Sequence, residues 1–178
     1  MSWLKKLWRW LTRKSSKPAD VIPLKPEKPV TPQEDLVVSG PHWMKIAEAE
    51  LGVKEVLGPG DAPRIVEYHS VTSGKYKDDE VPWCSSFACW VMEKAKIKSP
   101  RSARAKDWLN WGIAINQPKY GCIVVLSRDG GNHVGFYVGE KKGVPLILSG
   151  NFGNKVCVEP DGRKILGYRW PHDENLVA

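Results

Sequence analysis

The sequence predicts an α+β domain, with helices packed on a central antiparallel β-sheet. Three observations carry this. Between about residues 41 and 112 the apolar residues recur at helical spacing. From residue 121 onward they fall in short alternating or continuous apolar runs. Gly, Asn and Asp separate those runs, as turn residues do. Helices first and strands after is the order of an α+β chain.

Each element has its own signal. Pro41 followed by HWMKIAEAELG reads as a helix that ends at Gly52. DAPRIVEYHSVTSG, 61–74, reads as a second, with Asp61 as a candidate cap and Pro63 in its first turn. VPWCSSFACWVMEKAKI, 81–97, is a third, with Phe87, Trp90, Val91 and Ala95 at helical spacing. SARAKDWLNWG, 102–112, is a fourth, stopped by Gly112. GCIVVLSR (121–128), HVGFYVGE (133–140), VPLILSG (144–150), KVCVEP (155–160) and ILGYRW (165–170) read as strands.

Ahead of this domain the composition is different. The chain has 178 residues, 42% hydrophobic and 26% charged, with a formal net charge of +7. Residues 1–17 hold Lys5, Lys6, Arg9, Arg13, Lys14 and Lys17 and no acid, so the remaining residues sum to only +1. The positive balance belongs to the N-terminus. A nucleic-acid surface spread over the domain would need basic residues throughout it, so no nucleic-acid partner is expected. No apolar run approaches the ~18 residues of a membrane-spanning helix.

Residues 1–14, MSWLKKLWRWLTRK, read as a cationic amphipathic helix. Trp3, Leu4, Leu7, Trp8, Trp10 and Leu11 fall within roughly 160° of arc, with Lys5, Lys6, Arg9 and Arg13 opposite. Such a helix is too short to be stable alone in water. An anionic membrane surface would supply both apolar contact and countercharge. Docking on the chain's own body or on a partner protein is the alternative. A cleaved signal peptide fits poorly, because Arg9 interrupts the apolar stretch and no small-x-small site follows. Residues 15–40 read as a linker, whose prolines favour extended chain and cannot build a core. The expected organisation is therefore a helix at 1–14, a linker at 15–40, a domain at 41–172 and a tail at 173–178.

The four cysteines, at 84, 89, 122 and 157, form no C-x-x-C pair, which speaks against zinc ribbons and thioredoxin-like motifs. Cys84 stands apart by position. Pro82 suits the first turn of a helix, which puts Cys84 near the helix start. Free N–H groups and the positive end of the helix dipole favour thiolate there, and thiolate is the nucleophile. The plainer alternative is a small buried hydrophobe. Cys89 lies deeper in the helix, and Cys122 and Cys157 lie in strand-like runs.

A cysteine nucleophile needs a base within reach. His42, His69 and His172 lie at helix ends or in the tail, whereas His133 opens the run HVGFYVGE directly after the DGGN turn. A residue at a strand's mouth can face a groove while the strand behind it is held rigidly. If 133–140 and 144–150 form a hairpin, the start of the first lies beside the end of the second, and Asn151 neighbours His133. An amide there can hold the ring's tautomer.

These residues sit in a familiar order. PHWMKIAEAELGVKE, DEVPWCSSFACWVMEKA, AKDWLNWG, NHVGFYVGE, SGNFGNKV and ILGYRWP together resemble the NlpC/P60–CHAP cysteine peptidoglycan hydrolases, in a phage and prophage branch of endolysin type. The resemblance covers about residues 41–171. It implies a papain-like α+β fold and cleavage of an amide bond in cell-wall peptides. It also implies a Cys on a helix start, a His on a following strand and a polar third residue on the next. By position these are Cys84, His133 and Asn151. The segment expected as Gly-Gly-Asn-Gln is here Ser149-Gly150-Asn151-Phe152, and Trp83 stands where many relatives have Asp. Some CHAP domains bind calcium upstream of the nucleophile. Asp78, Asp79 and Glu80 occupy that stretch, and a solvated acidic loop is the expectation, since calcium takes six or more oxygens. No metal or other cofactor is expected.

Trp83 and Tyr76 are candidates for lining a substrate groove, as are Trp108 and Trp111; aromatic residues also fill cores. The resemblance further implies a protein made in the cytoplasm of a host bacterium and acting at the membrane and cell-wall layer, with peptidoglycan as substrate. A monomer is expected. A secreted or tail-borne antibacterial amidase, or an inert wall- or membrane-binding module, are the competing functions. Muramoyl–alanine amidase and stem-peptide endopeptidase need the same trio.

Overall fold

The computed structural model describes residues 40–172. The expected helix at 1–14, the tail at 173–178 and all but the last residue of the linker lie outside the described residues. Helix α1 spans His42–Glu48, α2 Pro63–Ser70 and α3 Cys84–Lys94. A 3-10 helix follows at Ala105–Asn110. Six strands come next: β1 Ile113–Ile115, β2 Ile123–Arg128, β3 Gly131–Lys141, β4 Val144–Ser149, β5 Cys157–Pro160 and β6 Ile165–Trp170. They form one sheet in the order β1-β6-β2-β3-β4-β5, antiparallel at every pair. The fold is α+β, helices before sheet. Among the described residues, no helix is long and apolar enough to cross a membrane.

The two faces of the sheet have separate cores. Ile123, Val125, Val134, Phe136 and Leu148 point to the helices and join Tyr68, Phe87, Val91 and Trp108. Cys122, Val124, Leu126 and Ile147 point to the other face, where Ile115, Tyr137, Ile165 and Tyr168 cover them. The central strand β2 is thus buried on both faces, which is why it reads as a continuous apolar run.

Helix α3 is buried all round, with every residue from Cys84 to Met92 enclosed. Such a helix belongs inside a core rather than on its surface. It ends because Lys96 takes a left-handed turn at φ 60°. Ile97 N–H then reaches the Met92 carbonyl at 2.9 Å and Lys96 N–H the Glu93 carbonyl at 3.1 Å. These are the two bonds of a Schellman stop, made here without glycine.

Two elements differ from the sequence expectation. The segment expected as a fourth α-helix is a 3-10 helix. Its threefold repeat sets Ala105, Trp108 and Trp111 in one row, and all three are buried. The indoles meet edge to face at 4.9 Å. Second, β1 pairs with β6 although Ile113–Ile115 is too short to show a period. Asp61 caps no helix either; its Oδ1 accepts the N–H of Asp79 at 3.1 Å.

The segment after α1 returns to the end of the sheet. Lys54 bridges Lys155, Glu55 N–H donates to the Asn154 carbonyl at 3.0 Å, and Val156 N–H donates to the Val53 carbonyl at 2.7 Å. This brings Glu55 against the start of α3.

Candidate active site

Cys84 is the first residue of α3, with Trp83 at the cap position and no side chain capping the helix start. Its neighbours fix that start from three sides. Trp83 is fully buried and its Nε1 donates to Glu55 Oε1 at 2.8 Å. Ser85 Oγ donates to the Ser102 carbonyl at 2.6 Å and accepts Trp108 Nε1 at 2.9 Å. Ser86 Oγ lies 2.9 Å from His69 Nδ1. The end of β4 closes in as well. A Cβ on Gly150 would lie 2.5 Å from the Trp83 ring and 2.8 Å from Phe87 Cβ, so glycine leaves room there for these two side chains.

His133 lies near the start of β3 and is 1% exposed. Val134, the next residue, lies close enough for its backbone N–H to favour the Cys84 thiolate. The thiol and the imidazole also share charged neighbours. Arg128 acts on both, and Arg163 acts on both. Cys84 and His133 therefore feel the same two arginines. The remaining histidines have other surroundings. His42 Nε2 sits 2.8 Å from the Ala95 carbonyl, His69 serves Ser86, and His172 follows β6.

Among the described residues, the hydrogen-bond partner of His133 Nε2 is Ser149, whose Oγ lies 2.9 Å away. Asn151, the residue expected there, follows the end of β4. The β3–β4 register, Phe136 against Leu148, sets Gly135 opposite Ser149 and, continued, His133 opposite Asn151. The strand ends at Ser149, and Asn151 turns left-handed at φ 57°. Sequence reasoning anticipated the β3–β4 hairpin and did not single out Ser149. The signal was available: residues two apart on β4 share a face, so the hydroxyl of Ser149 faces the same way as His133.

Burial dominates the titration of both groups. The Cys84 thiol is 5% exposed and burial pushes it up, against the pull of the Val134 N–H, the Arg128 charge and the Ser85 N–H. The helix start alone favours thiolate, but in this setting burial outweighs it. Burial drives His133 down to about 4, helped by Arg163 and opposed by Asp161. Burial thus favours the neutral form of both groups.

The expected groove aromatics divide. Trp83, Trp108 and Trp111 are buried core residues held by their indole N–H bonds, so they line no open groove. Their apolar area is worth more inside than the polar surface a groove would offer. Tyr76 is well exposed, packed edge-on against His69 at 5.4 Å. A cavity of about 540 Å³ is lined by Lys54, Glu55, Val56, Leu57, Gly153 and Lys155, and Glu55 is the residue that holds Trp83.

The acidic stretch is not a solvated loop throughout. Asp79 is buried, and its Oδ2 accepts Ala62 N–H at 2.8 Å and Val56 N–H at 3.0 Å, pinning two loops. Oxygens of Asp61, Asp78 and Asp79 lie within 4.8 Å of one another and could approach a cation. Calcium takes six or more oxygens, and Asp79 Oδ2 already accepts two backbone N–H groups.

Comparison with known proteins bears on this segment. The family model described as CHAP domain matches residues 76–151. No curated protein matches the chain. CHAP domains are typically cysteine- and histidine-dependent amidohydrolases or peptidases, and a CHAP hydrolase would act on peptidoglycan. The matched residues begin at Tyr76, run through the Cys84 helix and the His133 strand, and end at Asn151. This segment of the chain is similar to the CHAP domain family.

Proposed function

We propose that the chain is a phage endolysin-like peptidoglycan hydrolase that cleaves an amide bond in cell-wall peptides with Cys84 as nucleophile and His133 as base. The observation that carries this reading is the shared setting of Cys84 and His133, with the N–H of Val134 close enough to favour the Cys84 thiolate. Ser149 Oγ accepts the proton of Nε2–H in this reading, which leaves Nδ1 as the free base. The Cys84 proton passes to Nδ1 as the sulfur attacks the scissile carbonyl and forms a C–S bond. The C–N bond then breaks, and the imidazolium gives that proton to the leaving amine. Water, deprotonated by the same nitrogen, hydrolyses the thioester and restores the thiol. Backbone N–H groups at the open start of α3 are the candidates for holding the oxyanion. Asn151 is the second candidate for orienting His133.

The wider organisation belongs to the same proposal: a catalytic domain at 41–172 carried on a proline-rich linker behind a membrane-binding helix at 1–14. The stripe of Trp3, Trp8 and Trp10 opposite Lys5, Lys6 and Arg9 supports binding to anionic lipid. The enzyme would be made in a bacterial cytoplasm and act where membrane meets wall, as a monomer. Mass spectrometry of fragments released from purified peptidoglycan tests the activity and separates amidase from endopeptidase by the product masses. Co-sedimentation with anionic vesicles, with and without residues 1–17, tests the helix: equal binding by both forms contradicts it.

A further inference from the structure

One arginine at the site has a bonding pattern that a purely structural role leaves half used. Arg163, in the turn between β5 and β6, grips Asp161 through one edge. Its Nε donates to Asp161 Oδ1 at 2.8 Å and Oδ2 at 3.1 Å, and its Nη2 donates to Oδ2. Asp161 is itself fixed: its N–H donates to the Pro145 carbonyl at 2.8 Å, and its side chain is 3% exposed. The guanidinium lies 5.6 Å from the Phe152 ring centre. Phe152 in turn meets His133 edge to face at 6.1 Å. Arg163 is thus locked in place beside the base, with its side chain 28% exposed. Its Nη1 has no hydrogen-bond partner among the described residues.

Arg128 stands on the same side. The β2–β3 register pairs Leu126 with His133 and Arg128 with Gly131, so Arg128 lies two residues along from the partner of His133 on one sheet face. Ser127 N–H donates to the Lys164 carbonyl at 2.8 Å, which ties this strand end to the turn that carries Arg163. Two arginines against one aspartate leave this corner positive. That is costly beside a base that must become a cation during the reaction, unless an anion arrives with the substrate.

We propose that the free Nη1–Nη2 edge of Arg163 receives a carboxylate of the peptide substrate, which makes Arg163 a specificity-determining residue of the site. The planar fork of a guanidinium matches a carboxylate bidentately, and Asp161 holds the fork ready. Arg128, which is exposed, strengthens the positive rim but contributes less. The substrate class is a wall peptide with a free carboxylate next to the scissile amide. This inference rests on the hydrolase reading above.

The test uses the full chain and two wall peptides identical except that one has its glutamyl α-carboxylate free and the other has it as carboxamide. Wild type should favour the free acid by about tenfold or more in kcat/KM, mostly through KM. Arg163→Gln should erase the preference, and Arg163→Lys should restore part of it. Circular dichroism checks that each variant is folded. Affinities of the two peptides for Cys84→Ala separate the inference from the reading beneath it. Tighter binding of the free acid without turnover by wild type overturns the hydrolase reading and leaves the carboxylate site standing. Turnover of both peptides at equal rate, or a preference that survives in Arg163→Gln, overturns the carboxylate site and leaves the hydrolase standing.

Discussion

Ser149 Oγ lies 2.9 Å from His133 Nε2, on the face of β4 that the histidine shares. An imidazole held at one nitrogen presents the other in a fixed tautomer and direction. Ser149→Ala should therefore cost about 10- to 100-fold in kcat on wall peptides while the fold persists. Asn151→Ala should cost less. Steady-state kinetics of the two variants rank them, and a fully active Ser149→Ala beside an inactive Asn151→Ala would reverse the assignment.

Glycine at two positions sets the spacing of the site. A Cβ on Gly135 would meet Ile147 Cγ2 at 2.5 Å and both the Leu148 oxygen and Ser149 Cβ at 2.7 Å. Two of these belong to backbone or to short stems that cannot move aside. Gly135→Ala should lower stability by about 1–3 kcal/mol and displace Ser149 from His133. Gly150→Ala should act the same way through Trp83 and Phe87. Urea unfolding midpoints measure the loss, and a wild-type midpoint for both variants would contradict the packing described.

Stability should respond to pH through His133. In the unfolded chain its imidazole titrates near the ordinary value of 6.5, and burial holds it at about 4 in the fold. Between those values the unfolded state binds more protons, so stability falls as pH falls. The contribution is intact above about pH 6.5 and is lost progressively down to about pH 4, on the order of 3 kcal/mol at most. His69 is lowered by burial too and acts in the same direction. The carboxylates of Glu50, Glu67, Glu93 and Asp161 are lowered and lose their contribution only further down. His133→Gln should flatten the slope between pH 6.5 and 4.5 in denaturant titrations. An unchanged slope would show that the histidine is not buried neutral.

Burial also makes a statement about Cys84 alone. With the thiol pushed above its usual range, alkylation by iodoacetamide should be slow at pH 7 and still rising at pH 9. Peptide mapping assigns the label among the four free cysteines. A plateau below pH 8 would mean a resting thiolate.

Much of this was legible in the sequence because it is local. Pro82 ahead of an apolar run marks the start of α3 and so the place of Cys84. The DGGN turn before an alternating run marks the start of β3 and so the place of His133. The pairing of β3 with β4 was legible from the two runs and the turn between them. The rest depends on tertiary neighbours. Ser149 was missed because its partner is a side chain on another strand. The fate of Trp83 is decided by Glu55, far upstream in the chain, and by the close approach of Gly150. The 3-10 geometry of Ala105–Asn110 follows from turning Trp108 and Trp111 into one core, which helical spacing alone does not distinguish. Asp79 reads as loop acid until Val56 and Ala62 are seen to donate to it.

The most direct test is turnover of purified peptidoglycan by wild type, Cys84→Ala and His133→Ala, each shown to be folded by circular dichroism. The account predicts that wild type releases soluble peptide fragments and that both variants release none above the no-enzyme control. Fragment release by folded Cys84→Ala at the wild-type rate would contradict it.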